Sequence, residues 1–263
     1  MIPSALVSLK RVLACGAVFA ACASFPAAAV NGFASDNLGN IQEQDIEAAP
    51  PVAGAGIAFD FQQTYLNIFG LPPRPPIENI IHWPAGAVWN GDLFPQCDPA
   101  KLQALGPAAC PENSQFLSGE AVAAVGSQLV TITAAVTGFV GKPQNGYPTQ
   151  LLYVAPQVGP AFVLVGVMRN EPEGPYGLAE HISLRPTPGA TALTPSPIVV
   201  LSFHSVDQHT YVSRVINGRT ETIPLTVAPP ACVGGFWHYS IDNIYELGAS
   251  LRSTSRQACA SAP

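Results

Sequence analysis

Six cysteines fall into two groups, and that division constrains the fold more than any other feature of the chain. Cys15 and Cys22 lie in an apolar stretch near the N-terminus. Cys97, Cys110, Cys232 and Cys259 lie in the body as two local pairs, each bracketing a short segment marked by Pro and Gly. Four cysteines allow three pairings. The expected one is local, Cys97–Cys110 and Cys232–Cys259, closing loops of about 14 and 28 residues at roughly 3–4 kcal/mol each. The rival is a four-cysteine zinc site. Structural zinc sites place the cysteines of a pair two to four residues apart, which neither pair does, so neither a metal nor another cofactor is expected.

Disulfides need an oxidising compartment, and the N-terminus supplies a route to one. Lys10 and Arg11 precede an uncharged stretch over residues 12–25, and Ala27, Ala28 and Ala29 offer the small residues that a signal peptidase requires. Residues 1–29 therefore read as a signal peptide, and its cleavage leaves no transmembrane anchor. Residues 12–30 are long enough to raise a retained anchor as an alternative, although their alanines are weakly hydrophobic. Lipoprotein processing at Cys22 is a lesser alternative. The expected location is secreted or associated with the cell envelope.

Removing the leader leaves nine basic against seventeen acidic residues, a net charge of about −8. An acidic chain with no Lys/Arg cluster is a poor nucleic-acid binder, because phosphate contacts need concentrated positive charge. Charged residues make up 11% of the chain and hydrophobic ones 48%, with 27 prolines and 23 glycines. Short strands joined by Pro/Gly turns fit these values better than long amphipathic helices.

Residues 30–54 lack apolar periodicity and carry Asp36, Glu43, Asp45 and Glu47, so a flexible linker is expected there. From residue 57 the pattern is that of strands. Val130, Ile132, Ala134 and Val136 alternate with Thr131, Thr133, Ala135 and Thr137. Residues 161–168 are apolar without interruption, as in a strand covered on both faces. Asn217-Gly218 between residues 211–216 and 222–227 is a strong hairpin signal, and Pro224 makes the second arm an edge. Residues 237–242 alternate again, and segments near 57–67, 77–83, 119–125, 150–155, 180–184 and 198–203 bring the expected number to about ten strands. One short helix is expected after Asp98, which suits the N-cap, with Pro99 in the first turn and Gly106 as the stop. The fold class is all-β: a disulfide-stapled β-sandwich of mostly antiparallel strands, jelly-roll-like, over residues 55–263.

The run Leu93-Phe94-Pro95-Gln96-Cys97-Asp98, then Leu102, residues 106–111 (Gly-Pro-Ala-Ala-Cys-Pro), Ser114, Phe116, Ser118 and Gly119, resembles a recurrent block in exported β-rich proteins of high-GC Gram-positive bacteria. Trp83-Pro84-Ala85-Gly86 is similar to the segment that leads into that block. The closing stretch with Cys232, Gly235, Trp237, Tyr245, Gly248 and Cys259 is similar to the family's terminal hairpin. The resemblance implies an exported all-β domain whose final hairpin is tied by cysteines. It implies no catalytic residues.

For chemistry, the densest candidate is residues 204–209, where His204, Asp207 and His209 could bind zinc or join Ser205 in a relay. In an extended segment His204 and His209 face opposite sides, and only Asp207 and His209 share one. If residues 205–208 form a turn, the histidines can converge across it; a merely polar turn between Phe203 and Tyr211 is the simpler expectation. Glu171 and Glu173 read as a solvated loop tip, and Ser118 as a turn residue. Glu180-His181 opens a strand with no partner legible. Trp89 and Tyr147, in Asn/Gly turns, are candidate exposed anchors for a sugar or protein partner. No nucleophile elbow, phosphate loop or metalloprotease helix motif is present. Three functions follow. The first is a non-enzymatic envelope or extracellular domain that binds a protein, glycan or envelope component. The second is a metal-dependent or serine hydrolase using His204, Asp207 and His209. The third is a carrier of an apolar ligand between the sheets.

Overall fold

A computed structural model of the chain describes residues 31–125, 130–184, 198–245 and 248–262. The leader and Cys22 lie outside the described residues. The strands are β1 (Gly32–Ser35), β2 (Asn40–Ala49), β3 (Ala58–Asn67), β4 (Glu78–Pro84), β5 (Val88–Trp89), β6 (Gln115–Val125), β7 (Val130–Gln144), β8 (Tyr147–Pro156), β9 (Phe162–Glu173) and β10 (Tyr176–Ser183). They continue with β11 (Ile198–Asp207), β12 (Tyr211–Ile216), β13 (Arg219–Pro224), β14 (Thr226–Val227), β15 (Phe236–Ile244) and β16 (Ser250–Ala258). Twelve of them form one sheet in the order β1-β2-β3-β11-β6-β7-β8-β9-β10-β4-β15-β16. Every neighbouring pair in it is antiparallel. The sheet folds over so that β16 comes back against β1 and β2. The result is a sandwich- or barrel-like all-β fold made from one continuous ladder. Among the described residues no helix is long and apolar enough to cross a membrane.

The expected linker at residues 30–54 is instead largely strand: β1 and β2 pair with each other, and β2 with β3 along its whole length. The reason lies in what β2 buries. Its inward side chains are Asn40, Gln42, Gln44, Ile46 and Ala48, so amides stand where an apolar pattern would have marked a strand. The Asn40 amide bonds Asp36 and Asn67, while those of Gln42 and Gln44 face β16. Gln42 Nε2 donates to Ser253 Oγ at 2.8 Å and Gln44 Nε2 to Ser255 Oγ at 3.0 Å. Gln257 Nε2 donates to the Ala48 carbonyl while its Oε1 accepts from the Ala48 N–H, both at 2.8 Å. The Gln257 amide thus does for β2 what a neighbouring peptide unit would do, and leaves that edge satisfied.

The two disulfides are Cys97–Cys110 and Cys232–Cys259. Between the first pair lies α1 (Pro99–Leu105). Asp98 caps it, accepting from the Ala100 and Lys101 N–H groups at 3.0 and 3.2 Å, and Gly106 ends it at φ +75°. Leu102 packs with Cys97, Phe139, Leu151 and Val163 on the outer face of β7–β8–β9. Gln103 fastens the helix to β9, accepting from the Val163 N–H and donating to the Ala161 carbonyl. This cover explains the unbroken apolar run of β9: both faces are at least partly covered, one by the stapled helix and one toward the interior. The β12–β13 hairpin stands apart as its own two-stranded sheet, with Asn217 and Gly218 at φ +51° and +76° in the positive-φ turn that their types favour.

Candidate functional site

Between the folded halves of the sheet lies a cavity of about 520 Å³. Period-two alternation places its walls. Phe59 and Phe61 come from β3, Ile81 and Trp83 from β4, Leu152 from β8 and Leu164 from β9. The Phe59 and Trp83 rings lie 4.6 Å apart, tilted, and Trp89 meets Phe116 edge-on at 5.1 Å. A sheet of this many strands encloses more space than its inward side chains fill. The Gln/Ser layer occupies the part between β2 and β16, and the rest stays open. The volume and the largely apolar lining are those of a small-molecule site.

Two carboxyls interrupt that lining. Glu180 sits on β10, which supplies Leu178, Glu180 and Ile182 to the cavity on alternate residues, with Leu184 following just past its end. It is 1% exposed, and its Oε1 has no hydrogen-bond partner among the described residues. Gly166 on the neighbouring strand makes room, since any Cβ there would collide with Glu180 Oε1 and the Gln150 side chain. Asp207, the last residue of β11, lines the same cavity from a strand remote from β10 in the ladder. Burial and the charge of Asp207 push the Glu180 carboxyl up to about 8. Burial likewise pushes Asp207 up to about 7, against a hydrogen bond from the Phe59 N–H that favours its charged form. Among the described residues no Lys, Arg or His lines the cavity, and the one other titratable group there is Tyr65. Asn79 Nδ2 donates to the Tyr65 hydroxyl at 3.1 Å, leaving Asn79 Oδ1 without a partner among the described residues.

His204, Asp207 and His209 do not converge. The expected turn at 205–208 is absent, because β11 stays extended through Asp207 and successive side chains alternate between faces. His204 points outward and meets Asp60 at 2.9 Å, both half exposed. His209 is exposed in the following loop, stacked on Tyr211. Ser205 lines the cavity, on the opposite face from His204. Ser118 is exposed on β6. Glu171 and Glu173 end β9 rather than a free loop: Glu171 meets His181 at 3.1 Å, and Glu173 meets Arg252 at 3.2 Å. Arg252 also bonds Asp242, whose other oxygen meets His82. Burial alone would raise the Asp242 carboxyl, but these partners hold it down at about 2. Trp89 is half-buried against Phe116 rather than exposed, whereas Tyr147 is 45% exposed with the Arg169 guanidinium over its ring. Among the described residues no three His, Cys, Asp or Glu side chains are placed to hold a metal ion.

No protein-family model, curated protein or solved structure matches the chain. The functional reading therefore rests on the cavity and its polar groups. In the sequence Glu180 reads only as the opening of a strand with no partner legible, yet a further signal is there. It is the one acid in an alternating set whose other members, Leu178, Ile182 and Leu184, are all apolar.

Proposed function

We propose that this chain is an exported, non-enzymatic binding protein, secreted or held at the cell envelope, that carries an apolar ligand in its cavity. The observation that carries the reading is the 520 Å³ space walled by Phe59, Phe61, Ile81, Trp83, Leu152 and Leu164, which a packed core would have filled. Separation of His204, Asp207 and His209 removes the geometric basis for hydrolysis there. Export is supported by the two disulfides, which persist in oxidising compartments, together with the leader-like N-terminus. The test is titration of the purified disulfide-bonded protein with the uncharged fluorophore phenylnaphthylamine. Saturable binding with quenching of Trp83 and Trp89 is expected, and Ala121→Phe, which adds a ring at the cavity wall, should weaken it about tenfold or more. Binding that is absent, or indifferent to Ala121→Phe, contradicts the reading. Intact mass under non-reducing conditions checks the compartment: free thiols at Cys97, Cys110, Cys232 and Cys259 in the exported form would overturn it.

A further inference from the structure

Resting on the carrier reading, we propose that Glu180 and Asp207 form a cation-binding head to the cavity, so that its ligand is an apolar amine rather than a fatty acid or alcohol. Both residues line the cavity, and Glu180 is 1% exposed with an oxygen that meets no donor among the described residues. Among the described residues no Lys, Arg or His joins these two carboxyls in the cavity lining, so their ionised forms lack a countercharge, an arrangement that costs stability unless something supplies one. A carboxylate ligand would add a third acid to the pair. An alcohol would offer a hydrogen bond but leave the charge unanswered. A bare divalent cation would find no third His, Cys, Asp or Glu ligand beside the pair among the described residues, and would leave the apolar walls unfilled. A protonated amine on an apolar body answers both halves of the site. Its ammonium donates to the carboxylates and its body fills the remaining space. The aromatic faces of Phe59 and Trp83 add attraction for a cation.

Gly166 fits the same picture, because its missing side chain is what lets Glu180 and Gln150 reach inward side by side. The proton balance follows from the raised carboxyls. Burial and the charge of Asp207 push Glu180 up to about 8, and burial pushes Asp207 up to about 7, so near neutral pH the pair retains protons. An incoming ammonium stabilises both ionised forms and expels the retained proton to solvent. Tyr65, the remaining titratable group of the lining, is raised by burial and stays neutral throughout.

Displacement of bound phenylnaphthylamine at pH 7 by decylamine, decanol and decanoate tests the proposal. Decylamine should displace at a concentration about tenfold or more below that of decanol, with decanoate weakest. Glu180→Gln and Asp207→Asn should each erase most of that advantage while leaving decanol unchanged. Calorimetry of the wild-type protein at pH 6.5, in two buffers of different ionisation heat, should show proton release with decylamine and none with decanol, a readout independent of how the variants fold. Equal potency of amine and alcohol, or no proton release, overturns the amine assignment while leaving the carrier reading intact. Failure of phenylnaphthylamine to bind at all overturns the carrier reading and the amine assignment with it.

Discussion

At Glu180 a carboxyl occupies a position whose strand neighbours on the same face are leucine and isoleucine, and the folded state can hold it cheaply only when it carries its proton. The consequence for stability has a definite sign. In the unfolded chain Glu180 ionises near its ordinary 4.5 and Asp207 near 3.8, whereas in the fold burial delays them to about 8 and about 7. Their contribution is thus fully present below pH 4 and is lost as the pH rises through 7 to 8. Asp242 acts oppositely: its ion pair contributes above 3.8 and is lost as the pH falls through about 2. Thermal unfolding without ligand should therefore show its highest Tm near pH 4 to 5 and a decline toward pH 8, on the order of a few kcal/mol. Paired Glu180→Gln and Asp207→Asn substitutions should flatten the alkaline side alone. An unchanged slope in that double variant would show that neither carboxyl is held protonated. The cluster at His204 was legible in the sequence as residue types, but whether its segment turns was not: strand continuing through residues 205–207 sends His204 and Asp207 to their separate faces.

The elements differ in how far the sequence discloses them. Strands β3, β4, β7, β9 and β15 and the Asn217-Gly218 hairpin follow from apolar alternation and turn chemistry, because their inward faces are apolar or their turns need positive φ. Helix α1 follows from Asp98, Pro99 and Gly106. Strand β2 was hidden because hydrophobic periodicity cannot see a buried face made of Asn40, Gln42 and Gln44, and the β16 partners of Gln42 and Gln44 lie about two hundred residues away in sequence. That seam has a testable weight. Gln257→Ala removes both bonds to the Ala48 peptide and should destabilise the protein by about 2 kcal/mol, read from urea unfolding. A change below about 0.5 kcal/mol would mean that water takes over the Ala48 groups. Asp98→Ala should cost about 1 kcal/mol through loss of the α1 cap, in the same assay. A neutral result would mean that the disulfide and the Gln103 contacts alone hold the helix.

For the molecule as a whole, one sheet folded over itself does two things with its interior. Where β2 meets β16 it is closed by a layer of amides and hydroxyls. Between β3, β4, β8, β9, β10 and β11 it stays open, walled by rings and alkyl chains around two acids. The disulfides brace the outside of this shell. One pins α1 over β8 and β9, and the other joins the approach to β15 to the end of β16, so neither contributes a reactive group to the cavity. Ligand binding to such a shell should raise Tm in proportion to the logarithm of ligand concentration, and reduction of both disulfides should lower it sharply. The most direct test of the central claim is a crystal structure of the protein with bromodecanol, located by the anomalous scattering of its bromine. The account predicts a bromine peak inside the cavity, among Phe61, Ile81 and Leu164. Bromine found on the outer surface alone, with those side chains closed over the space, would contradict it.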